Sequence, residues 1–148
     1  SKITLSKFLP YQLSITSNAV SDLIARSYHG RFGLKIPEWR VLAVLAEQGP
    51  STQRDLSLAT QMDKVTVNRA SAAMVERGLV ARAPNAADGR SHHLAMTALG
   101  DELYTQIVPL ALAAEADIES ILGQSEAATL FALLAKLQSR VADMERGE

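Results

Sequence analysis

One stretch of this chain resists a helical reading, and it limits the fold more than anything else. Leu79-Val80-Ala81-Arg82 is a short β-prone run. Residues 84–89 are rich in turn formers and contain the dipeptide Asp88-Gly89. His92-His93-Leu94-Ala95-Met96-Thr97 reads as a returning strand. Two antiparallel strands alone are marginally stable in water, so the hairpin needs elements beside it. Those elements must be helices, because the rest of the chain carries helical spacing or helix-boundary signals.

Before the hairpin, residues 10–28 read as a long helix on Leu13, Val20, Leu23 and Ile24, with Gly30 and Gly33 ending it. Pro37 suits a first helical turn and Glu38 its positive end. Trp39, Leu42 and Leu45 carry an apolar face to about residue 47, and Gln48-Gly49-Pro50 stops it. Ser51 or Thr52 can cap a short helix to about residue 58. Asp63 can cap the next one, in which Val67, Ala70 and Met74 face inward and Gly78 lies just past the end. After the hairpin, Thr97 caps a long helix towards residue 122, which Pro109 should kink or locally loosen. A last helix from Ser125-Glu126 carries Leu130, Leu133, Leu134, Leu137 and Val141 as its stripe.

The chain of 148 residues is long enough for a real core. No apolar run approaches a membrane span, and no secretion leader is visible, so a cytoplasmic protein without a membrane partner is expected. The absence of cysteine excludes disulfides, thiolate metal sites and thiol sensing. Net charge is -1 but unevenly spread: +3 over residues 1–50, +2 over 51–100 and -6 over 101–148. An acidic last third repels phosphate, so a nucleic acid should meet the middle of the chain.

A short helix, a tight connection, a second helix and a hairpin make a winged helix-turn-helix. The second helix offers Lys64, Val65, Thr66, Asn68 and Arg69 in its first two turns. Lys64 can neutralise a phosphate. Asn68 and Arg69 can bond adenine or guanine edges in pairs, and Val65 or the Thr66 methyl can pack on a thymine methyl. Ser51, Thr52 and Gln53 begin the preceding helix, whose amides can hold a phosphate. Arg90, beside the Asp88-Gly89 turn, can enter a narrow minor groove. Each of these features also has a plainer reading, as a solvated helix face or a solubilising turn.

Together they resemble a known signature. Residues 62–100, MDKVTVNRASAAMVERGLVARAPNAADGRSHHLAMTALG, are similar to the multiple-antibiotic-resistance regulator (MarR) family. The matching parts are D-K-x-T-V-x-R, E-R-G-L-V-x-R, D-x-R in the wing and L-x-x-T-x-x-G after it. Asn85-Ala86-Ala87 departs from the charge often found before the wing motif. The resemblance implies a fold that is mainly α with a small β-hairpin wing. Residues 36–97 would form the DNA-binding part, and residues 8–29 and 98–145 the N- and C-terminal dimerisation helices. It further implies a homodimer on double-stranded DNA, with Lys64, Thr66, Asn68 and Arg69 as reading-helix contacts, Arg90 as the wing contact, and Asp88 bracing the wing arginine or a neighbouring basic side chain. The apolar first and last helices favour a dimer independently. A near-palindromic operator follows, because two half-sites lie roughly 34–36 Å apart on one DNA turn.

The block 8–18 with 32–40 resembles a branch of the family that answers to aromatic acids or their acyl-CoA thioesters. Tyr11 or Trp39 would suit an aromatic ring, Arg40 an anionic group, and Ser17 and Asn18 hydrogen bonds. A regulatory metal is not expected, since His92 and His93 are adjacent on a strand and point to opposite faces while His29 stands apart. No cofactor is expected. Ligand-relieved repression is the expected mechanism. The rivals are a winged-helix module that binds protein, and an enzyme. The first needs no exposed Lys64, Arg69 or Arg90. The second finds no Ser-His-Asp order, phosphate loop or metal spacing to support it.

Overall fold

In a computed structural model, the backbone is described for residues 1–85 and 88–147, and the side chains of residues 85–91 lie outside the described residues. The elements run α1 (Leu9–Ala25), α2 (His29–Phe32), α3 (Ile36–Gln48), α4 (Gln53–Thr60), α5 (Lys64–Glu76), β1 (Val80–Asn85), β2 (Asp88–Met96), α6 (Ala98–Glu119) and α7 (Gln124–Glu145). A 3-10 turn, Leu5–Lys7, precedes α1. The chain divides into two compact units, Ser1–Ala114 and Glu115–Glu148. The larger unit is a helical array carrying one antiparallel hairpin, and the smaller one is built on α7. No helix among the described residues is long and apolar enough to cross a membrane.

The first helix stops earlier than its periodicity suggests. α1 ends at Ala25, and a turn then leads into α2. Tyr28 and Phe32, beyond the end of α1, are both in the core, at 1% and 8% exposure. Gly30, expected as a stop, lies inside α2. Termination falls to Gly33, whose φ of 68° is the left-handed conformation that glycine adopts without strain.

Local chemistry sets the other helix starts much as the residue types suggest. Pro37 lies in the first turn of α3, and the Lys35 amide donates to Glu38 Oε1 at 3.0 Å. Thr52 and Asp55 form a reciprocal capping box on α4, at 3.0 and 2.9 Å. Asp63 caps α5, accepting from the amide and the hydroxyl of Thr66 at 2.8 and 2.9 Å. α6 runs without interruption through Pro109, so the expected kink does not break the element.

The two strands are longer than the sequence implied, at 80–85 and 88–96. Val80 pairs with Met96, Arg82 with Leu94 and Pro84 with His92, and the register shifts between Pro84 and Asn85. Support for the hairpin comes from an isolated bridge. The Ser51 amide donates to the Leu94 carbonyl at 3.0 Å, and the Leu94 amide returns a bond to Ser51 at 2.7 Å. The bridge adds a third backbone partner to a two-stranded ribbon that would otherwise be marginal. Ser51, an alternative cap by sequence, is buried in this bridge, and capping falls to Thr52.

The core joins α2 and α3 (Phe32, Val41, Leu42, Leu45) to α4 (Leu56), α5 (Val67, Ala70, Met74), the strands (Val80, Leu94) and α6 (Ile107). The inward set Val67, Ala70 and Met74 at i, i+3 and i+7 is as the helical period requires.

Two carboxylates make the fold sensitive to acid. Hydrogen bonds from Thr52 hold the Asp55 carboxyl below the ordinary range, and bonds from Thr66 do the same for Asp63. A carboxyl depressed in the folded state contributes stability that is present above its unfolded pKa and is lost as pH falls through the folded value. Chemical denaturation midpoints are therefore expected to drop as the medium is acidified through and below the usual aspartate range. An Asp55→Asn, Asp63→Asn double variant should start lower at neutral pH and show a shallower acid dependence. An equal acid slope in the two proteins would remove these caps from the explanation.

Candidate nucleic-acid interface

Helix α5 is held on one side and open on the other. Its core side is anchored by Val67, Ala70 and Met74, and its N-terminus is fixed by the Asp63 cap. That leaves Lys64, Val65, Asn68 and Arg69 exposed on the opposite side, with Val65 at 64%. Val65 stands exposed between cations and an amide. It offers an apolar surface next to hydrogen-bonding and charged groups.

Thr66 is placed differently. It is half-buried, and its hydroxyl proton is committed to Asp63. Its task in the described chain is to lock the first turn of α5. Thr52 is likewise occupied, since its Oγ1 accepts from the Asp55 amide. The idea that the start of α4 holds a phosphate is correspondingly narrowed. One amide there is taken, and the Asp55 carboxylate adds negative charge, so only the amides of Gln53 and Arg54 would face an anion. Gln53 is half-buried, and its Oε1 lies 3.5 Å from the Oγ of buried Ser71, at the long limit of a hydrogen bond between α4 and α5.

Arg90 and Asp88 lie on β2, but their side chains fall outside the described residues, so wing contact and bracing remain expectations. Two further cations, Arg54 on α4 and Arg82 on β1, are exposed in the same unit. Neither was singled out from the sequence as a DNA contact: Arg54 lies outside any motif, and Arg82 closes the E-R-G-L-V-x-R motif, where it reads as part of a strand.

A cleft of about 230 Å³ lies between the start of α3 and α5, with Lys35, Pro37 and Glu38 on one side and Thr66, Arg69 and Ala73 on the other. At its far end α5 is tied down by Arg77, whose guanidinium donates to the carbonyls of Phe32 at 2.9 Å and Gly33 at 3.2 Å.

The residues expected to meet an effector divide into two groups. Trp39 stacks with Tyr28 at 5.2 Å and with Tyr104 at 5.6 Å between ring centroids. It is committed to an internal aromatic run. Burial pushes the Tyr28 hydroxyl pKa up, an effect that Arg40 opposes. Arg40 donates to Ser21 Oγ on α1 at 3.2 Å. Ser17 and Asn18 lie four and three residues before Ser21, on the same side of α1, and both are exposed. Tyr11, at 37% exposure, lies nearer the start of that helix. No cluster of three or more metal-ligating side chains occurs among the described residues.

Comparison with known proteins bears on what this geometry serves. The MarR family model matches residues 32–91, a span that includes α3, α4, α5 and β1. Over those residues the chain is similar to the MarR family. Structures similar to it over nearly the whole chain carry related names. A probable transcriptional regulator from Pseudomonas aeruginosa shares 27% identity and a TM-score of 0.80, covering 90% of this chain and 99% of that one. A MarR/EmrR family transcriptional regulator from Acinetobacter sp. ADP1 has 24% identity and a TM-score of 0.87 over 95% and 99%. Bordetella bronchiseptica BpsR, described as regulated in its DNA binding by 6-hydroxynicotinic acid, has 22% identity and a TM-score of 0.82 over 93% and 98%. No curated protein sequence matches the chain significantly. The chain therefore has the winged-helix fold of MarR-family transcriptional regulators, as the sequence motifs implied.

Proposed function

We propose that this chain is a sequence-specific DNA-binding transcription regulator, not an enzyme, which acts as a homodimer on a near-palindromic operator. The observation that carries the reading is the open side of α5: Lys64, Val65, Asn68 and Arg69 stand exposed on a helix whose opposite side is fixed in the core. Lys64 meets a phosphate, Asn68 and Arg69 read base edges, and Val65 packs on a thymine methyl. Thr66, Thr52 and Gln53 support them from the backbone side of the duplex, and Arg90, steadied by Asp88, enters the minor groove.

Exposed apolar side chains support the dimer. No residue of α1 is buried. Phe8 (40%), Leu13 (41%) and Ile15 (42%) at the N-terminus lie open in the single chain, as do Leu130 (46%), Phe131 (59%) and Leu133 (52%) of α7. A second copy covering such surface removes it from water and fixes the spacing of two reading helices.

Regulation in this reading is repression relieved by a small aromatic acid or its acyl-CoA thioester. Support is indirect: the effector named for BpsR is an aromatic acid. Arg40 would hold the anionic group while Tyr11, Ser17 and Asn18 line the α1 side, and Trp39 would contribute through its stack rather than through a free ring face. The ligand must bind the DNA-free arrangement better than the DNA-bound one, or it shifts nothing.

Selection of bound duplexes from a random pool, repeated with candidate aromatic acids, tests the whole reading. A two-fold symmetric site is expected. Its affinity should fall steeply with salt, by a slope of roughly -0.9 per phosphate neutralised. Enrichment of no sequence at low salt would leave the protein-binding winged helix as the better account.

A further inference from the structure

We infer that Arg77 is a positioning residue that sets the pose of the reading helix by bolting its end to the segment arriving from α1; this rests on the DNA-binding reading above. Arg77 closes α5 at its last turn, with Gly78 beyond it in the left-handed region at φ 75°. From there the guanidinium reaches back across 44 and 45 residues. It donates two hydrogen bonds from separate nitrogens to the consecutive carbonyls of Phe32 and Gly33. A planar two-donor group fixes an angle as well as a distance, which a single contact does not.

What it grips is no ordinary loop. Residues 28–34 are the joint between α1 and the winged part of the chain. Tyr28 is buried and stacked on Trp39, Phe32 is in the core, and the Leu34 amide donates back to the Tyr28 carbonyl at 3.2 Å. Arg40 ties α3 to Ser21 of α1 on the other side of the same joint. A movement of α1 therefore reaches 28–34, and from there reaches α5 through Arg77. A cleft of about 230 Å³ opens between α5 and the start of α3, while the end of α5 is held by Arg77.

The exposed position of Arg77 invites a simpler role, as one more phosphate contact, and salt separates the two. Arg77→Ala, Arg77→Lys and wild type are compared for operator affinity at several salt concentrations, with far-UV circular dichroism, dimer state and hydrogen exchange of the α5 amides alongside. Positioning predicts that Arg77→Ala binds roughly ten-fold more weakly with an unchanged salt slope. It also predicts unchanged helix content, faster exchange in the last turns of α5, and partial recovery in Arg77→Lys. A slope reduced by about one phosphate would make Arg77 a DNA contact and overturn the proposal, as would unaltered affinity and exchange. If wild type binds no duplex, the regulator reading falls on its own, and the exchange comparison still decides whether Arg77 holds α5.

Discussion

Replacing Gly100 with alanine is expected to destabilise the fold measurably, although glycine inside a helix is normally worth replacing. Gly100 lies in the first turn of α6, where helix propensity alone would favour alanine by about 1 kcal/mol. Its surroundings reverse the sign. A β-carbon there would stand well inside van der Waals contact of the Leu79 carbonyl oxygen and 3.0 Å from Met96 Cγ. The nearest atom is backbone at the start of the hairpin, and it cannot swing away like a side chain. Thr97 holds the two pieces in place. Its amide donates to Leu79 at 3.0 Å, its hydroxyl donates to Gly78 at 2.6 Å, and its Oγ1 accepts from the Gly100 amide at 3.0 Å. Relieving the clash means breaking that clamp or shifting α6, a cost of about 3 kcal/mol or more. The net loss of about 2 kcal/mol or more should lower the thermal midpoint by several degrees at least and reduce soluble yield. A Gly100→Ala protein with the wild-type midpoint would mean that α6 does not approach Leu79 this closely.

The second large effect falls on recognition. Asn68→Ala and Arg69→Ala, singly, are each expected to weaken operator binding by about 1–3 kcal/mol, since each removes a potential two-point contact to a base. Together they should bring the operator close to the affinity of random duplex. Both side chains are exposed and make no core contact, so helix content, dimer state and thermal midpoint should stay near wild type. Glu76→Ala, on an exposed position at the other end of α5, serves as the control and should leave binding nearly unchanged. The pattern across base positions is more telling than the size of the loss. A base-reading residue relaxes preference at one or two positions, whereas a phosphate contact weakens all sequences alike. Uniform weakening from both variants would move Asn68 and Arg69 off the base edges.

Where residues write their own local structure, the sequence is a sufficient guide. The Thr52 and Asp63 caps, Pro37 in a first turn, Gly78 past a helix end and the inward triad Val67, Ala70, Met74 all follow from interactions within about four residues. The hairpin was legible for the same reason, though its strands proved longer. Strand length depends on cross-strand pairing and on the Ser51–Leu94 bridge, which joins residues 43 apart.

The early end of α1 was not legible. The helical pattern continues past Ala25, yet the chain turns there into α2, where tertiary context rather than local propensity decides the boundary. Thr66 and Trp39 show the same limit within the candidate sites: their types suit a base contact and a ligand ring, yet one is spent on a cap and the other on an aromatic stack.

Composition, periodicity and the spacing of caps and turns thus determined the element order, the helical class with its single wing and the residues on the open side of α5. Only the tertiary structure decided that Thr66 is spent on a cap and Trp39 on an aromatic stack, that Gly100 admits no β-carbon and that Arg77 reaches residues 32 and 33. The division has one physical cause. Short-range hydrogen bonds and helical spacing are encoded within a few residues of themselves, whereas close packing and long reaches are set by partners that the chain meets only after it folds.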